Sequence, residues 1–185
     1  MLILGIGNSL LQDEGIGIYL LKFMEKHFPS FPDVTYRDGS CLDFNILSEI
    51  EAHNHLLILA AVELYARPGT VCCYQNEAMD RFLGTTAKRS DYDISLLELL
   101  GMARLSGHLP ANRALVGLQY SRMGMVNDIS IKVKHNIPLA ARLAATVVQQ
   151  WELQLHPPCG PWMMPPQQVG ITQVGINIEK NSRKR

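Results

Sequence analysis

Two adjacent carboxylates, Asp13 and Glu14, close the segment Gly5-Ile6-Gly7-Asn8-Ser9-Leu10-Leu11-Gln12-Asp13-Glu14-Gly15-Ile16-Gly17. A short apolar run precedes this segment and apolar residues at helical spacing follow it, so it joins a first strand to a first helix. One chemistry open to such a turn is phosphate binding, because Gly-x-Gly after a strand begins the dinucleotide fingerprint. Two features oppose it. Leu10 replaces the third glycine, and the helix starts only beyond two acidic residues, which suit its macrodipole but repel a pyrophosphate. A nucleotide-binding oxidoreductase is therefore the weakest alternative. Asp13 reads as a helix cap. Glu14 falls at the carboxyl edge of the sheet, where open α/β proteins keep their sites.

Other reactive side chains are scattered. Cys41, Cys72, Cys73 and Cys159 form neither a CxxC pair nor a disulfide framework. Cys72 and Cys73 share a strand and so point to opposite faces, which makes them core residues. Cys41 lies in a loop without an evident base beside it. His108 and His135 read as surface or loop residues. Met123-Gly124-Met125 is either an adaptable contact loop or an ordinary connector.

The elements that position these groups follow from periodicity. Residues 1–6 form a buried strand. Ile16, Tyr19, Leu20 and Phe23 mark a helix ending near His27, before Pro29. Val34 and Tyr36 begin a second strand that stops at Asp38-Gly39. Phe44, Leu47 and Ile50 give a helix, and Leu56–Val62 gives a strand without polar alternation, as expected when both faces are buried in a parallel sheet. Thr70–Tyr74 and Ala114–Leu118 are further strands. Leu96–Ala103 is a helix stopped by Gly107 and Pro110, and Pro138–Leu153 is a long one. Ile129, Ile131 and Val133 alternate like a strand yet run straight into that last helix. Five prolines fall within Pro157–Pro166, so the packed domain is expected over residues 1–155. A Pro-rich, flexible tail is expected over 156–185, within which Gly170–Ile178 is a candidate edge strand. Strands alternating with helices predict a single three-layer α/β domain: a twisted, mostly parallel sheet of about five strands with helices on both faces.

Composition removes several classes of function. The 185 residues carry 17 basic and 17 acidic side chains, so no global field recruits nucleic acid or an anionic membrane. The longest apolar run, Leu56–Val62, is far short of the roughly 20 residues that span a bilayer. The N-terminus has no basic region or cleavage site of a signal peptide. A cytoplasmic protein is expected.

The opening segment resembles that of the [NiFe]-hydrogenase maturation endopeptidases, Gly-x-Gly-Asn-x-Leu-x-x-Asp-(Glu/Asp)-Gly-x-Gly. The likeness extends to His55-Leu56-Leu57-Ile58-Leu59-Ala60-Ala61-Val62 with Arg67-Pro68-Gly69-Thr70, which resembles the family's third strand and its exit. It extends also to Gly107-His108-Leu109-Pro110 with Ala114–Gln119, and covers about residues 1–153. The resemblance implies an enzyme that removes a C-terminal extension from the hydrogenase large subunit after nickel insertion. It also implies that the nickel is read by three side chains: a carboxylate after strand one, an Asp on strand three and a loop His. Such a nitrogen/oxygen set suits a first-row divalent ion.

Transferred position by position, the first carboxylate is Glu14, the Asp becomes Ala60 and the His becomes Tyr92. The family's Asp-Gly-Gly-Thr-x-Gly loop survives only as Asp38-Gly39, followed by Ser40-Cys41-Leu42-Asp43. Asp38 and Gly39 are the expected substrate-binding remnant, while no catalytic residue is assigned. His55 is five residues before Ala60 and belongs to the opposite sheet edge. Glu63 faces the other side unless the chain turns sharply after Val62. Asp91 or Asp93 is the better substitute ligand. The expected function is hydrogenase large-subunit maturation, with the large-subunit precursor as partner and peptidase activity impaired. The alternative is an active nickel-dependent endopeptidase with a modified site. No stably bound cofactor is expected, the nickel being that of the substrate. Neither nucleic acid nor membrane is an expected partner.

Overall fold

Strands that are apolar at every position need cover on both sides, and the molecule supplies it. The computed structural model describes residues 1–28, 33–86, 95–124 and 128–155. Five strands, β1 (Leu2–Ile6), β2 (Thr35–Gly39), β3 (His55–Val62), β4 (Val71–Gln75) and β5 (Asn112–Gln119), form one sheet in the order β2-β1-β3-β5-β4. All neighbours are parallel except β4, which runs antiparallel to β5. Helices α1 (Ile16–His27), α2 (Phe44–Glu51), α3 (Asn76–Thr86), α4 (Leu96–Leu105), α5 (Ile131–Lys134) and α6 (Ile137–Leu155) complete the described elements.

Alternation along each strand divides the core in two. Ile3, Leu57, Leu59, Val116 and Leu118 pack with α1 and α6. Leu2, Leu4, Leu56, Ile58 and Leu115 pack with α2, α4 and Met79 of α3. Cys72 and Cys73 separate onto these two faces as expected. Burial pushes the Cys72 thiol up to about 12 and raises Cys73 as well.

Local chemistry sets the helix ends. Asp43 caps α2 by accepting from Asn45 N and Ile46 N at 2.9 and 3.0 Å. Ser95 and Glu98 form a reciprocal capping box at α4. Two stretches take their form from the fold rather than from a local pattern. Ile129 and Val133, four residues apart, are buried while Ile131 is 73% exposed, so the apparent alternation belongs to a loop and one helical turn. Helix α3 is not anticipated, because its apolar face is confined to Met79, Phe82 and Leu83 within an otherwise polar segment.

The amino edge of the sheet is closed by polar pairs. Asn112 Nδ2 lies 3.0 Å from His55 Nε2, and the His55 ring packs at 5.4 Å on Trp151. Arg113 is bidentate to Asp80, at 2.9 and 2.6 Å, and also donates to Pro110 O at 3.2 Å. Arg104 joins the same carboxylate at 2.7 Å. The opposite, carboxyl edge receives the segments that leave β1, β2, β3 and β5.

Helix α1 crosses that sheet at one narrow point. A Cβ on Gly17 would stand 2.2 Å from both Ile6 O and Leu59 O. Both obstacles are backbone, so neither can step aside without moving β1 or β3. Gly17→Ala is expected to destabilise the fold by about 3 kcal/mol. A urea titration checks this, and an unchanged midpoint would show that α1 is free to lift.

Candidate functional site

The chain leaving β1 is wound tightly over the strand end. Gly7 adopts φ +134°, a region closed to other residues, and a Cβ there would lie 1.9 Å from Glu14 O. Asn8 shapes the next step, its Oδ1 accepting from Leu10 N at 2.9 Å and its carbonyl from Leu11 N at 3.0 Å. Gln12 then takes a left-handed φ of 47° and opens a 3₁₀ turn, Gln12–Gly15, that leads into α1. The ground above Gly7 is thus filled by the chain's own carbonyl oxygen. A pyrophosphate approaching a dinucleotide loop needs that space, so the geometry removes the nucleotide reading.

Asp13 does not cap the helix. The position before α1 is Gly15, which has no side-chain cap. Asp13 is instead fully buried and reaches across the sheet edge to the segments after β5. Its Oδ2 accepts from Ser121 N, Arg122 N and Ser130 Oγ at 2.8, 3.1 and 2.8 Å, and its Oδ1 from Ser130 N at 2.7 Å. The backbone adds Asp13 N to Arg122 O at 3.4 Å. Burial alone pushes this carboxyl's pKa up, but the hydrogen bonds from Ser130, Ser121 and Arg122 outweigh it and hold the group below the usual carboxylate range.

Glu14 is half-buried beside this clasp, and among the described residues none donates a hydrogen bond to its carboxylate. Asp38 pairs with Gly5 across β1 and β2, and Gly5 pairs in turn with Leu59 of β3. Asp38 and the turn bearing Glu14 therefore share the carboxyl edge. Asp38 Oδ1 accepts from Ser40 N at 2.9 Å and from the Ser40 hydroxyl, while buried Gly39 packs against Leu4 and Gly5. Ala60 follows Leu59, pairs with Gly117 and packs half-buried with the α2/α4 core. Asp91, Tyr92 and Asp93 lie outside the described residues. Among the described residues no three His, Cys, Asp or Glu side chains converge to hold a metal ion.

His55 lies at the amino edge, as its distance along the strand implied. Burial, and secondarily the N-terminal ammonium, lower its pKa. Glu63 lies just beyond the end of β3 and accepts from the Tyr120 hydroxyl, which belongs with the α1/α6 core. It is thus on the side away from Ala60. Cys41, His108 and His135 are exposed.

Sequence reasoning missed two supports of this edge, the Asp13 clasp and a Gln119 side chain that accepts from Leu64 N at 2.6 Å and from Ala66 N at 3.5 Å. Buried Gln119 follows the apolar run Ala114–Leu118 at the end of β5, and that polar residue was the available signal.

Comparison with known proteins bears on what this edge serves. Residues 18–147, well over half the chain, match the family described as hydrogenase maturation protease. The chain belongs to that family. Among the hydrogenase maturation proteases and their relatives it is similar to the hydrogenase expression/formation protein HupD of Rhizobium leguminosarum bv. viciae. The two are 28% identical over 152 residues, which is 82% of this chain and 75% of HupD. Hydrogenase 2 maturation protease of Escherichia coli (strain K12) is 32% identical over 120 residues, 64% of this chain and 71% of the relative. The structure resembles that of the hydrogenase maturating endopeptidase HybD from E. coli, with a TM-score of 0.72 and 26% identity, covering 81% of this chain and 92% of HybD. The five-stranded, mostly parallel sheet flanked by helices is accordingly this protease family's fold.

Asp13 provides a direct check of the site's construction. Asn at this position keeps one acceptor oxygen and sets an NH₂ group against donors that need a partner, so Asp13→Asn is expected to lose about 3 kcal/mol of stability. Because the folded pKa is depressed, Asp13 stabilises fully above its unfolded value near pH 4, and that contribution disappears as pH falls through the folded value. The gap between wild type and Asp13→Asn in urea midpoints should be widest at neutral pH and shrink in acid. A gap independent of pH would contradict the clasp.

Proposed function

We propose that this protein is a cytoplasmic maturation factor for a [NiFe]-hydrogenase large subunit, binding the precursor at its carboxyl sheet edge with peptidase activity impaired. The nickel in this reading is substrate, carried by the large subunit. The observation that carries it is Ala60. Its methyl occupies the β3 position to which the family resemblance assigns a metal-reading Asp, and a methyl has no donor atom. Tyr92 stands where the same resemblance assigns the imidazole, and a neutral phenol is a poor substitute for it. Glu14 alone of the three remains. One carboxylate on an exposed edge does not hold a borderline divalent ion against water.

Binding depends on other features, and these persist. The turn around Gly7, the Asp38-Gly39 step and the parallel strands beneath them keep the edge in shape. Exchanging two metal-contacting side chains for Ala and Tyr makes the cleft more apolar, which suits holding a peptide better than hydrolysing it. The intact Glu14 favours the second reading, an active endopeptidase with Asp91 or Asp93 completing the set.

Mass spectrometry separates the two. A nickel-loaded large-subunit precursor incubated with this protein should keep its C-terminal extension while co-purifying with it, and Glu14→Arg should weaken the complex. Removal of the extension, abolished by Glu14→Gln, would establish the active peptidase instead. Titration calorimetry with Ni²⁺ or Cd²⁺ supplies a second check. Ala60→Asp combined with Tyr92→His should bind metal more tightly than the two single variants added together, because each ligand fixes the geometry of the other.

A further inference from the structure

Strand β2 lies at one end of the sheet, and its outer side is open. Thr35 N donates to Met1 O at 2.9 Å, and Thr35 pairs with Leu2 in the parallel register. That phase aims the N–H and C=O of Thr35, Arg37 and Gly39 at β1. The N–H and C=O of Tyr36 and Asp38 consequently point away from the sheet. Among the described residues nothing pairs with these four groups. Thr35, Arg37 and Asp38 are exposed, whereas β4, at the other end of the sheet, is half-buried at every position.

Natural sheet edges are guarded by proline, by bulges or by charges that stand across the strand. β2 is left unguarded. Its register with β1 runs unbroken from Thr35 to Gly39, and it contains no proline. Glu49 draws Arg37 over α2, with Nε 3.1 Å from Oε1. The Asp38 carboxylate folds back onto its own turn, where Oδ1 accepts from Ser40 N at 2.9 Å. An open row of alternate N–H and C=O groups recognises one kind of ligand, an extended peptide backbone.

Its position identifies the peptide. Asp38 pairs with Gly5 and Gly39 with Ile6, so the open row ends level with the turn that carries Glu14. A strand added to β2 would lie two strand spacings, roughly 10 Å, from β1. We propose that the C-terminal extension of the large-subunit precursor binds as an added strand on the free edge of β2. The proposal rests on the functional reading above and deepens it. In that reading the nickel-bearing body sits over the carboxyl edge, and the extension follows the body in the chain. The extension therefore runs from the carboxyl edge toward the amino edge, antiparallel to β2. One of its residues exchanges two hydrogen bonds with Asp38, and the residue two positions later does the same with Tyr36. The residue between them turns its N–H outward. Both bonded residues place their side chains on the α1/α6 face, where Phe28, Val34 and Tyr36 are half-buried at the rim of the core. An apolar side chain opposite Tyr36 covers that rim and gives the edge its selectivity.

The test follows hydrogen exchange of single amides in the full chain, with and without purified large-subunit precursor that retains its extension. In the free protein Arg37 should exchange slowly and Tyr36 and Asp38 fast. Bound precursor should slow Tyr36 and Asp38 by roughly tenfold or more. A synthetic peptide of the extension, N-methylated at one residue at a time, supplies a second readout. Methylation should weaken binding by about tenfold at two residues separated by one, and leave the residue between them unaffected. Tyr36 and Asp38 still exchanging fast in the complex, or a methylation series without that alternation, would overturn the added strand and leave the functional reading intact. Failure of the full chain to bind the precursor at all would remove both. Slow exchange at Tyr36 and Asp38 in the free chain would mean that a second copy or residues 156–185 already cover the edge, which overturns the proposal; sedimentation tells these two occupants apart.

Discussion

A carboxylate removed from water must be supplied with donors, and Asp13 obtains all of its donors from residues more than a hundred positions away. This requirement is what shapes the carboxyl edge. The turn after β1 contains a left-handed Gln12 and a Gly7 pressed under a carbonyl, and neither conformation is favourable by itself. The buried Asp13 makes any other arrangement worse, because releasing the turn would strand a charge or leave three backbone N–H groups without an acceptor. Glu14 is where it is because its neighbour in sequence is fixed.

The separation of support from chemistry has a functional meaning. The clasp, the Asp38-Gly39 step and the crossing of α1 at Gly17 use backbone and buried groups that a change at position 60 leaves untouched. The positions to which the proposed function assigns metal contact are by contrast single side chains on these supports. On that proposal, a change at position 60 leaves the fold that presents it intact, and recognition of a partner is physically separable from hydrolysis of its extension.

Much of this was legible in the residues. Leu2–Ile6, Leu56–Val62 and the Ala114–Leu118 stretch of β5 are apolar throughout, and unbroken apolarity of that length identifies interior parallel strands. The Gly5–Gly17 segment placed the site at the end of β1. What escaped reading was long-range or one-sided. Asp13 at the head of a helix is locally a plausible cap, and nothing nearby announces that Ser121 and Ser130 will claim it. Helix α3 keeps its apolar face to Met79, Phe82 and Leu83, a stripe one turn long in a polar segment. The antiparallel direction of β4 is set by where the chain must go after β3, which no local pattern encodes. Ile131 stood out as the middle of an alternating trio, yet its partners Ile129 and Val133 turn inward together and leave it outside.

The polar seal at the amino edge also has a consequence for connectivity. The N-terminal ammonium is close enough to His55 to lower its pKa, and Trp151, in the last helix, packs on the same ring. The beginning of β1 and the final turns of α6 therefore meet at one pole of the domain, opposite the carboxyl edge. A label or tether attached at that pole would leave the edge bearing Glu14 facing outward.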